Sequence, residues 1–339
     1  MDLNKNYIES HWIAPVGKLD MTGYINKYFS FRKDVTLKKD ITDAYLSITA
    51  DSRYILWING RLVGRGPARC IPKNQSYTTY NIKEYLREGI NNIAVLVHRF
   101  GVSTGQYINR SRTGLFAYGQ IKYNNGKKEE IKTDLSWHVR QADWFLDTDK
   151  RISIQLGFQE IFDSRKELQG WQTVAISEDL DGWEKAIFLG PNGIFPWYEL
   201  ESSGIKPLVE IEINGDIALD GTYKSPEHII MDENIINYWI DNTFTRQKVL
   251  SEDKNGWYIA NLQENKDMVV TMDFGYSFAG FPKFEIDSAS AGAMVDIFYH
   301  TALDDQGIPV IPKLFGYSHE GVETALFAGM EETYGSLIY

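Results

Sequence analysis

Short hydrophobic stretches with alternating or β-branched residues recur along the chain, and turn-forming pairs separate them. Asn-Gly or Asp-Gly pairs, which accept the positive φ angles of tight hairpin turns, begin at positions 59, 125, 181, 192, 214, 220 and 255. The stretches that predict strands are 44–49, 54–58, 93–98, 115–122, 131–133, 209–213, 269–274 and 294–299. Many short strands joined by frequent turns predict an all-β fold of two successive antiparallel sandwiches of the jelly-roll type.

Helical periodicity is nearly absent from the sequence. Residues 83–87 and 232–238 are each long enough for about one helical turn, and no longer stretch carries an apolar stripe at helical spacing. The sequence contains neither heptads nor an internal repeat. We therefore predict little helix.

Breaks in regular structure divide the chain, whose 339 residues and 38.9 kDa exceed one ordinary sandwich. Gly190-Pro191 and Ser202-Ser203-Gly204 interrupt any strand in their region. The predicted segments are a first sandwich over 1–189, a connector over 190–208 and a second sandwich over 209–339. Residues 333–339 look like a strand without a polar tail, so we expect the second sandwich to be incomplete at its C-terminus, through a gene break or a cloning boundary.

Charge and cysteine content narrow the function. Lys and Arg number 35 against 46 Asp and Glu, a net charge of −11, so the basic footprint of a nucleic-acid binder is missing. No apolar run approaches the roughly 20 residues of a membrane span. No apolar signal region follows the N-terminus, so the default location is cytoplasmic, or periplasmic or secreted if the N-terminus was trimmed. Cys70 is the only cysteine, which excludes a disulfide framework and a multi-cysteine zinc site. We expect no metal and no cofactor.

One motif matches a catalytic pattern. Residues Gly101-Val102-Ser103-Thr104-Gly105 fit G-x-S-x-G, which needs a strand before it and a helix after it to present the serine. Residues 106–112 lack an apolar helical stripe, so the motif favours a glycine-rich loop between strands. Close carboxylate pairs, as glycoside hydrolysis requires, arise by chance among 46 acidic residues. We therefore assign no catalytic residue.

Aromatic residues make up 14% of the chain and suit both strands and sugar-binding faces. An aromatic plane covers the C–H face of a pyranose, while Asn or Arg side chains bind its hydroxyls. The candidate carbohydrate-binding residues are Trp57, Asn59, Arg65, Arg69 and Tyr107. A core position for Trp57, inside a predicted strand, and solvated loop charges for the two arginines are the structural alternatives.

An ordered series of motifs points to a family. Residues 44–64, AYLSITADSRYILWINGRLVG, are followed by Gly89-x-Asn91, Thr133-Asp134 and Trp137, and Glu160–Arg165 at characteristic spacing. This series resembles the N-terminal β-sandwich of bacterial α-L-rhamnosidases, glycoside hydrolase family 78, and residues 190–208 resemble its connector. Residues 273–282 and 304–307 resemble the next sandwich, although Tyr276-Ser277 stands where the family has a polar pair.

The resemblance implies a function that depends on a catalytic domain outside this sequence. In this family the general acid and general base that hydrolyse terminal α-L-rhamnose with inversion lie in an (α/α)₆ barrel after the sandwiches. This sequence matches no catalytic motif of that barrel. The resemblance therefore implies a non-catalytic N-terminal portion, truncated before the barrel and inactive alone. Its implied partners are the missing catalytic domain, which it braces, and a carbohydrate, a rhamnosylated glycoside or polysaccharide. The alternative is a free-standing carbohydrate-binding protein of two sandwiches.

Overall fold

The computed structural model describes residues 3, 9–15, 17, 24–71, 73–105, 107–110, 112–148, 158–173, 182–206, 209–228, 244–253, 256–259, 262–281, 292–298, 303–308 and 334–338. Their strands, in chain order, are β1 His11–Ala14, β2 Lys27–Leu37, β3 Ile41–Asp51, β4 Arg53–Ile58, β5 Arg61–Gly66, β6 Asn74–Asn81, β7 Gly89–Arg99, β8 Gly114–Tyr123, β9 Lys128–Lys132, β10 His138–Gln141, β11 Glu160–Asp163, β12 Glu184–Lys185, β13 Ile187–Pro191, β14 Glu199–Ser202, β15 Asp216–Lys224, β16 Thr245–Arg246, β17 Leu250–Asp253, β18 Gly256–Ile259, β19 Lys266–Asp273, β20 Met294–Phe298 and β21 Tyr334–Ile338.

The all-β prediction is confirmed. Among the described residues the one helical element is a 3-10 turn at Lys83–Tyr85, within the single turn predicted over 83–87. The other predicted turn, 232–238, lies outside the described residues. No helix in the described part of the chain is long and apolar enough to cross a membrane.

The first of two compact units consists of Met1–Asp149 and Asp163–Leu208 and contains two sheets. One sheet has the strand order β12-β10-β2-β7-β4-β5. The other has the order β13-β1-β8-β3-β6-β14, with β9 beside β8. Strands β4, β5 and β7 run antiparallel to their neighbours, as the turn-rich sequence predicts. The Asn59-Gly60 turn between β4 and β5 has φ angles of 52° and 76°, which confirms a tight hairpin there.

Alternate residues of the strands fill the space between these two sheets. Side chains in a strand point to opposite faces in turn, so every second residue faces the core. Each such side chain stabilises the fold by about 1.5–3 kcal/mol when it is fully buried. The buried residues include Leu46 and Ile48 from β3, Tyr54, Leu56 and Ile58 from β4, and Ile93, Val95 and Val97 from β7.

The seven-stranded sheet is covered on its other face as well. Leu115 of β8 belongs to the inter-sheet core, whereas its neighbour Phe116 belongs to a second buried cluster with Trp12 and Trp197. The Trp12 and Trp197 rings stack with their centroids 3.8 Å apart. Burial on both faces explains why the sequence of β8 begins as a continuous hydrophobic run.

Trp197 reaches this cluster because the chain crosses the sheet. Strands β13 and β14 lie at opposite edges, so residues 192–198 pass over the outer face between them. The crossing places β14 parallel to β6, with Glu199 opposite Asn74. This pairing departs from the purely antiparallel prediction, because a chain that crosses a sheet can re-enter it in either direction. Residues 190–208, the predicted connector, thus include a strand of the first unit.

The second unit consists of Lys150–Phe162 and Val209–Tyr339. Its described strands form the sheets β16-β15-β19 and β11-β21-β20 and the hairpin of β17 and β18. The longest pairing joins β15 and β19 antiparallel, from Asp216 opposite Asp273 to Lys224 opposite Lys266. Antiparallel pairing therefore dominates this unit too.

Two local predictions in the second unit are wrong. Residues 209–213, predicted as a strand, have no regular structure, and β15 begins at Asp216. The Asp220-Gly221 pair, predicted as a turn, lies inside β15. A Cβ on Gly221 would lie 2.4 Å from Cε2 of Phe244, so glycine is required there for close packing rather than for a turn.

Candidate functional site

A pocket of about 230 Å³ lies at one end of the first sandwich, where β4 begins. Strand β4 is antiparallel to β5 and β7, so its first residues lie beside the last residues of both. Three connections therefore meet there: β3 to β4, β5 to β6, and β7 to β8. The residues that line the pocket are Ser52, Arg53, Pro67, Ala68, Arg69, Cys70, Tyr107 and Arg110.

A buried carboxylate orders the wall of this pocket. Asp51, the last residue of β3, has no exposed surface. Its Oδ2 accepts hydrogen bonds from Trp197 Nε1 at 2.8 Å and from Arg110 Nη1 at 3.4 Å, and its Oδ1 accepts one from the Tyr107 hydroxyl. Burial raises the pKa of the Tyr107 phenol, which keeps the hydroxyl protonated as a donor. Asp51 thus fixes the positions of Tyr107 and Arg110.

Arg110 is buried in the wall and keeps one donor without a partner. Only 5% of its surface is exposed. Besides Asp51, its guanidinium donates to Gln75 Oε1 and, at 3.4 Å, to the carbonyl of Cys70. Its Nε is buried and has no hydrogen-bond partner within the described residues. A buried donor without a partner is costly, so the position of Arg110 is maintained by its bonds to Asp51, Gln75 and Cys70.

The lining carries an excess of positive charge. Three of the lining side chains, Arg53, Arg69 and Arg110, are arginines, and none of the lining residues is acidic. Asp51 compensates Arg110 from behind the wall. Arg53 and Arg69 are exposed at the mouth, and Arg69 Nη2 donates to the Gly105 carbonyl at 3.0 Å. Arginine donors arranged in this way suit a carboxylate or another anion.

The structure brings two of the predicted sugar-binding residues together, Arg69 and Tyr107. Asn59 lies at the opposite end of β4, where its side chain is fully engaged. Its Nδ2 donates to the Tyr85 carbonyl and to Asn91 Oδ1, both at 2.9 Å, and its Oδ1 accepts from the Asn92 amide at 3.0 Å. Asn59 therefore holds a turn together, and sugar binding by it stays a prediction.

Trp57 and Arg65 also lie outside the pocket. Trp57 is half-buried in β4, and its ring meets that of Trp171 edge to face with centroids 5.6 Å apart. Arg65 is half-buried in β5, and its carbonyl accepts a hydrogen bond from the Tyr80 hydroxyl at 3.1 Å. Sugar binding by either residue stays a prediction.

Sequence reasoning missed Arg53, Arg110 and the carboxylate that orders them. The polar triplet Asp51-Ser52-Arg53 between two hydrophobic strands was the available signal, because a turn there without Gly or Pro is unusual. Nothing local marks Arg110, since it meets Asp51 across 59 positions of sequence.

A second, larger groove carries less specific chemistry. It has a volume of about 420 Å³ along β10 and includes Arg140, Asp143 and Glu184. Arg140 pairs with Asp143 at 3.6 Å, so the charges of this groove are largely matched. The groove therefore has one acidic side chain in excess, Glu184, and lacks the cluster of arginines that lines the first pocket.

The structure also tests the one motif that matched a catalytic pattern. The Gly101–Gly105 motif forms a loop, and the described residues 107–110 and 112–113 that follow it contain no α-helix. The Ser103 hydroxyl accepts a hydrogen bond from the Asn109 amide at 3.1 Å. The prediction that this motif is a loop is confirmed. Within the same described residues, no group of three His, Cys, Asp or Glu side chains could hold a metal ion.

The first sandwich is similar to a known domain family. Residues 39–191 match the α-L-rhamnosidase N-terminal domain. A family 78 rhamnosidase of Bacillus sp. GL1 is similar to this chain at 34% identity with a TM-score of 0.57. That match covers 65% of this chain and 22% of the Bacillus protein. A search of curated protein sequences returns no significant match.

Two further solved structures share the fold over nearly the whole chain. The α-L-rhamnosidase from Dictyoglumus thermophilum is 21% identical with a TM-score of 0.57 and covers 99% of this chain and 32% of its own. The α-L-rhamnosidase from Aspergillus terreus is 18% identical with a TM-score of 0.54 and covers 97% of this chain and 31% of its own. This chain therefore spans about a third or less of the proteins it matches.

Proposed function

We propose that this chain, which carries the N-terminal domain of the α-L-rhamnosidase family, is the non-catalytic N-terminal portion of a glycoside hydrolase that releases terminal α-L-rhamnose. The observation that carries the proposal is the family match over residues 39–191, supported by 34% identity to the Bacillus rhamnosidase. The whole enzyme would protonate the leaving oxygen with one carboxylic acid while a second carboxylate activates water on the opposite face of the sugar.

Bracing the catalytic domain is the first role that we propose. In the second unit, Tyr276, Phe278 and Phe281 are 63%, 45% and 68% exposed within six consecutive residues. The Phe278 ring lies 5.8 Å from that of Tyr276 and 5.2 Å from that of Phe274, so these three side chains form one aromatic patch. Clustered apolar exposure of this kind is typical of an interaction surface.

Carbohydrate binding is the second role that we propose, and the pocket at the start of β4 is the place for it. Its volume of about 230 Å³ is below the roughly 300–1,000 Å³ of sites for drug-sized ligands, which suits a single sugar unit. Pro67, Ala68 and the Tyr107 ring supply apolar surface, and the arginines supply donors. The same pocket supports the alternative of a free-standing carbohydrate-binding protein.

A hydrolysis assay tests the catalytic part of the proposal. The purified 339-residue chain is incubated with 4-nitrophenyl α-L-rhamnoside beside an identical preparation from cells carrying the empty vector. We expect no release of nitrophenol above that control. Release that increases in proportion to the protein concentration would contradict a non-catalytic role.

A second assay separates the portion of an enzyme from the free-standing alternative. The same reading frame is extended past codon 339 at its genomic locus, and the longer product is assayed on the same substrate. Rhamnosidase activity in the longer product alone supports the assignment of this chain as the non-catalytic N-terminal portion of a rhamnosidase. A stop codon at that position with sugar binding by the chain favours the free-standing alternative.

A further inference from the structure

We propose that the pocket at the start of β4 selects an acidic sugar, a hexuronate, through its carboxylate. The inference deepens the proposed carbohydrate-binding role and rests on it for the sugar part of the ligand. The acidic character of the ligand is inferred from the charges that line the pocket, which are independent of the family match.

The pocket is lined by positive side chains without negative ones. Arg53, Arg69 and Arg110 surround the cavity without an acidic side chain among the lining residues. Asp51 is the one carboxylate in contact with these arginines in the described residues, and it is committed to Arg110, Tyr107 and Trp197. A neutral sugar would leave the two outer arginines unmatched, whereas a uronate brings the opposite charge.

The guanidinium groups of Arg110 and Arg69 are placed differently in the pocket. Arg110 is fixed by Asp51 and Gln75, and its buried Nε has no partner among the described residues. Arg69 is exposed at the mouth and makes one hydrogen bond, to the Gly105 carbonyl at 3.0 Å. Because that Nε has almost no accessible surface, Arg110 contributes a fixed positive charge, whereas the exposed guanidinium of Arg69 can donate directly to a ligand. A carboxylate accepts several hydrogen bonds through two oxygens and so suits both.

An apolar surface lies beside these charged groups. The Tyr107 ring is held edge to face against Phe100 with centroids 5.4 Å apart, and its hydroxyl is bonded to Asp51. Arg53 lies over the Phe100 ring at 5.2 Å. A fixed aromatic ring beside guanidinium groups fits a pyranose that carries a carboxylate better than it fits a bare inorganic anion.

Isothermal titration calorimetry of the full chain tests the proposal. The ligands are D-galacturonate, D-galactose, and acetate or sulfate, each at the same ionic strength, since the Debye length falls from about 10 Å at 0.1 M salt to about 3 Å at 1 M. We expect galacturonate to bind at least tenfold more tightly than galactose and acetate, and its affinity to fall as salt increases.

Three variants test the residues. Arg69→Gln and Arg53→Gln should each weaken galacturonate binding at least tenfold, and Arg69→Lys should restore part of it, because lysine keeps the charge but lacks the planar fork. Arg87→Gln is the matched control. Arg87 is likewise exposed and donates to one carbonyl, of Ile90, but it precedes β7, whose 11 residues separate it from the pocket by roughly 30 Å.

Each outcome bears on the proposal. Equal affinity for galacturonate and galactose would overturn the selection by charge and leave carbohydrate binding standing. Equal affinity for galacturonate and acetate or sulfate would show a plain anion site and overturn the sugar part. No binding of any ligand, or equal loss in Arg87→Gln, would overturn the proposal. None of these results touches the rhamnosidase assignment, which the hydrolysis assays test separately.

Discussion

Strand β4 has a polar cluster at each end, and the two clusters use their hydrogen bonds differently. At its far end, Asn59 Nδ2 donates to Asn91 Oδ1, and the remaining polar atoms of both side chains bond to neighbouring backbone groups. At its start, Asp51 is satisfied, but Arg110 keeps a buried Nε without a partner in the described residues, and Arg53 and Arg69 face a cavity.

This difference separates structural polar residues from candidate ligand-binding ones. Buried polar groups in folded proteins are nearly always hydrogen-bonded, so a closed network such as that of Asn59 needs no further explanation. A pocket lined by three arginines and no acidic side chain does need an explanation. The same sequence pattern, polar residues beside a strand, thus has two meanings that only the contacts distinguish.

The largest expected effect follows from removing the carboxylate at the start of β4. Asp51→Ala leaves the Arg110 charge buried and the Trp197 and Tyr107 donors unpaired, which should lower the free energy of unfolding by about 3–5 kcal/mol. Urea denaturation followed by tryptophan fluorescence measures it. Asp143→Ala is the control, because Asp143 is an exposed partner of Arg140 and should cost about 1 kcal/mol or less. Similar losses in the two variants would refute the structural role of Asp51.

The next effect is a fall in the free energy of unfolding at acid pH, which arises from a histidine beside the start of β4. His98 stacks on Tyr28 at 3.9 Å, and burial, together with the charge of Arg53, lowers its pKa from 6.5 to about 3. The unfolded chain therefore binds a proton on this residue that the folded chain does not. The contribution of neutral His98 to the free energy of unfolding is complete above pH 6.5. It is lost as the pH falls from about 6.5 to 3, by at most about 1.4 kcal/mol per pH unit.

The comparison variant for this effect is His98→Gln. The free energy of unfolding, measured at intervals from pH 7 to 4, should fall less steeply in the variant than in the unchanged protein. The difference between the two slopes removes the effect of carboxylates that titrate in the same range. Identical slopes would show that His98 titrates normally.

A smaller loss is expected at the far end of β4. Asn59→Ala removes the bonds to Tyr85, Asn91 and Asn92 and places alanine at a φ of 52°, so the free energy of unfolding should fall by about 1–3 kcal/mol. Asn125→Ala, in an exposed Asn-Gly turn where the side chain accepts one bond from the Lys127 amide, should cost less. An equal cost in both variants would mean that the network of Asn59 adds nothing beyond its turn.

The sequence allowed the fold to be predicted where local chemistry determines structure. The alternation over residues 54–58 and the Asn59-Gly60 pair specify a strand and its hairpin, and both are present. The Asp220-Gly221 pair failed as a turn because Phe244, 23 positions away, packs against the glycine. Packing partners that are distant in sequence leave no local trace.

The candidate site was predicted in part for the same reason. Arg69 and Tyr107 follow strands in glycine-rich loops, where side chains are free to reach a ligand, and they share the pocket. Asn59 was chosen for its amide, but its bonding partners at 85, 91 and 92 become visible only in three dimensions. Arg110 was missed because Asp51 and Gln75, which hold it, lie in β3 and β6, far from it in sequence.

Titration of D-galacturonate into the unchanged chain, Arg69→Gln and Asn59→Ala tests the contrast between the two ends most directly. Arg69 is exposed and has no acidic partner in the described residues, so Arg69→Gln should change the free energy of unfolding by no more than about 0.5 kcal/mol. The account predicts that Arg69→Gln loses the binding heat while remaining folded, and that Asn59→Ala binds with unchanged affinity despite its lower stability. Binding that survives Arg69→Gln, or that is lost in folded Asn59→Ala, would contradict it.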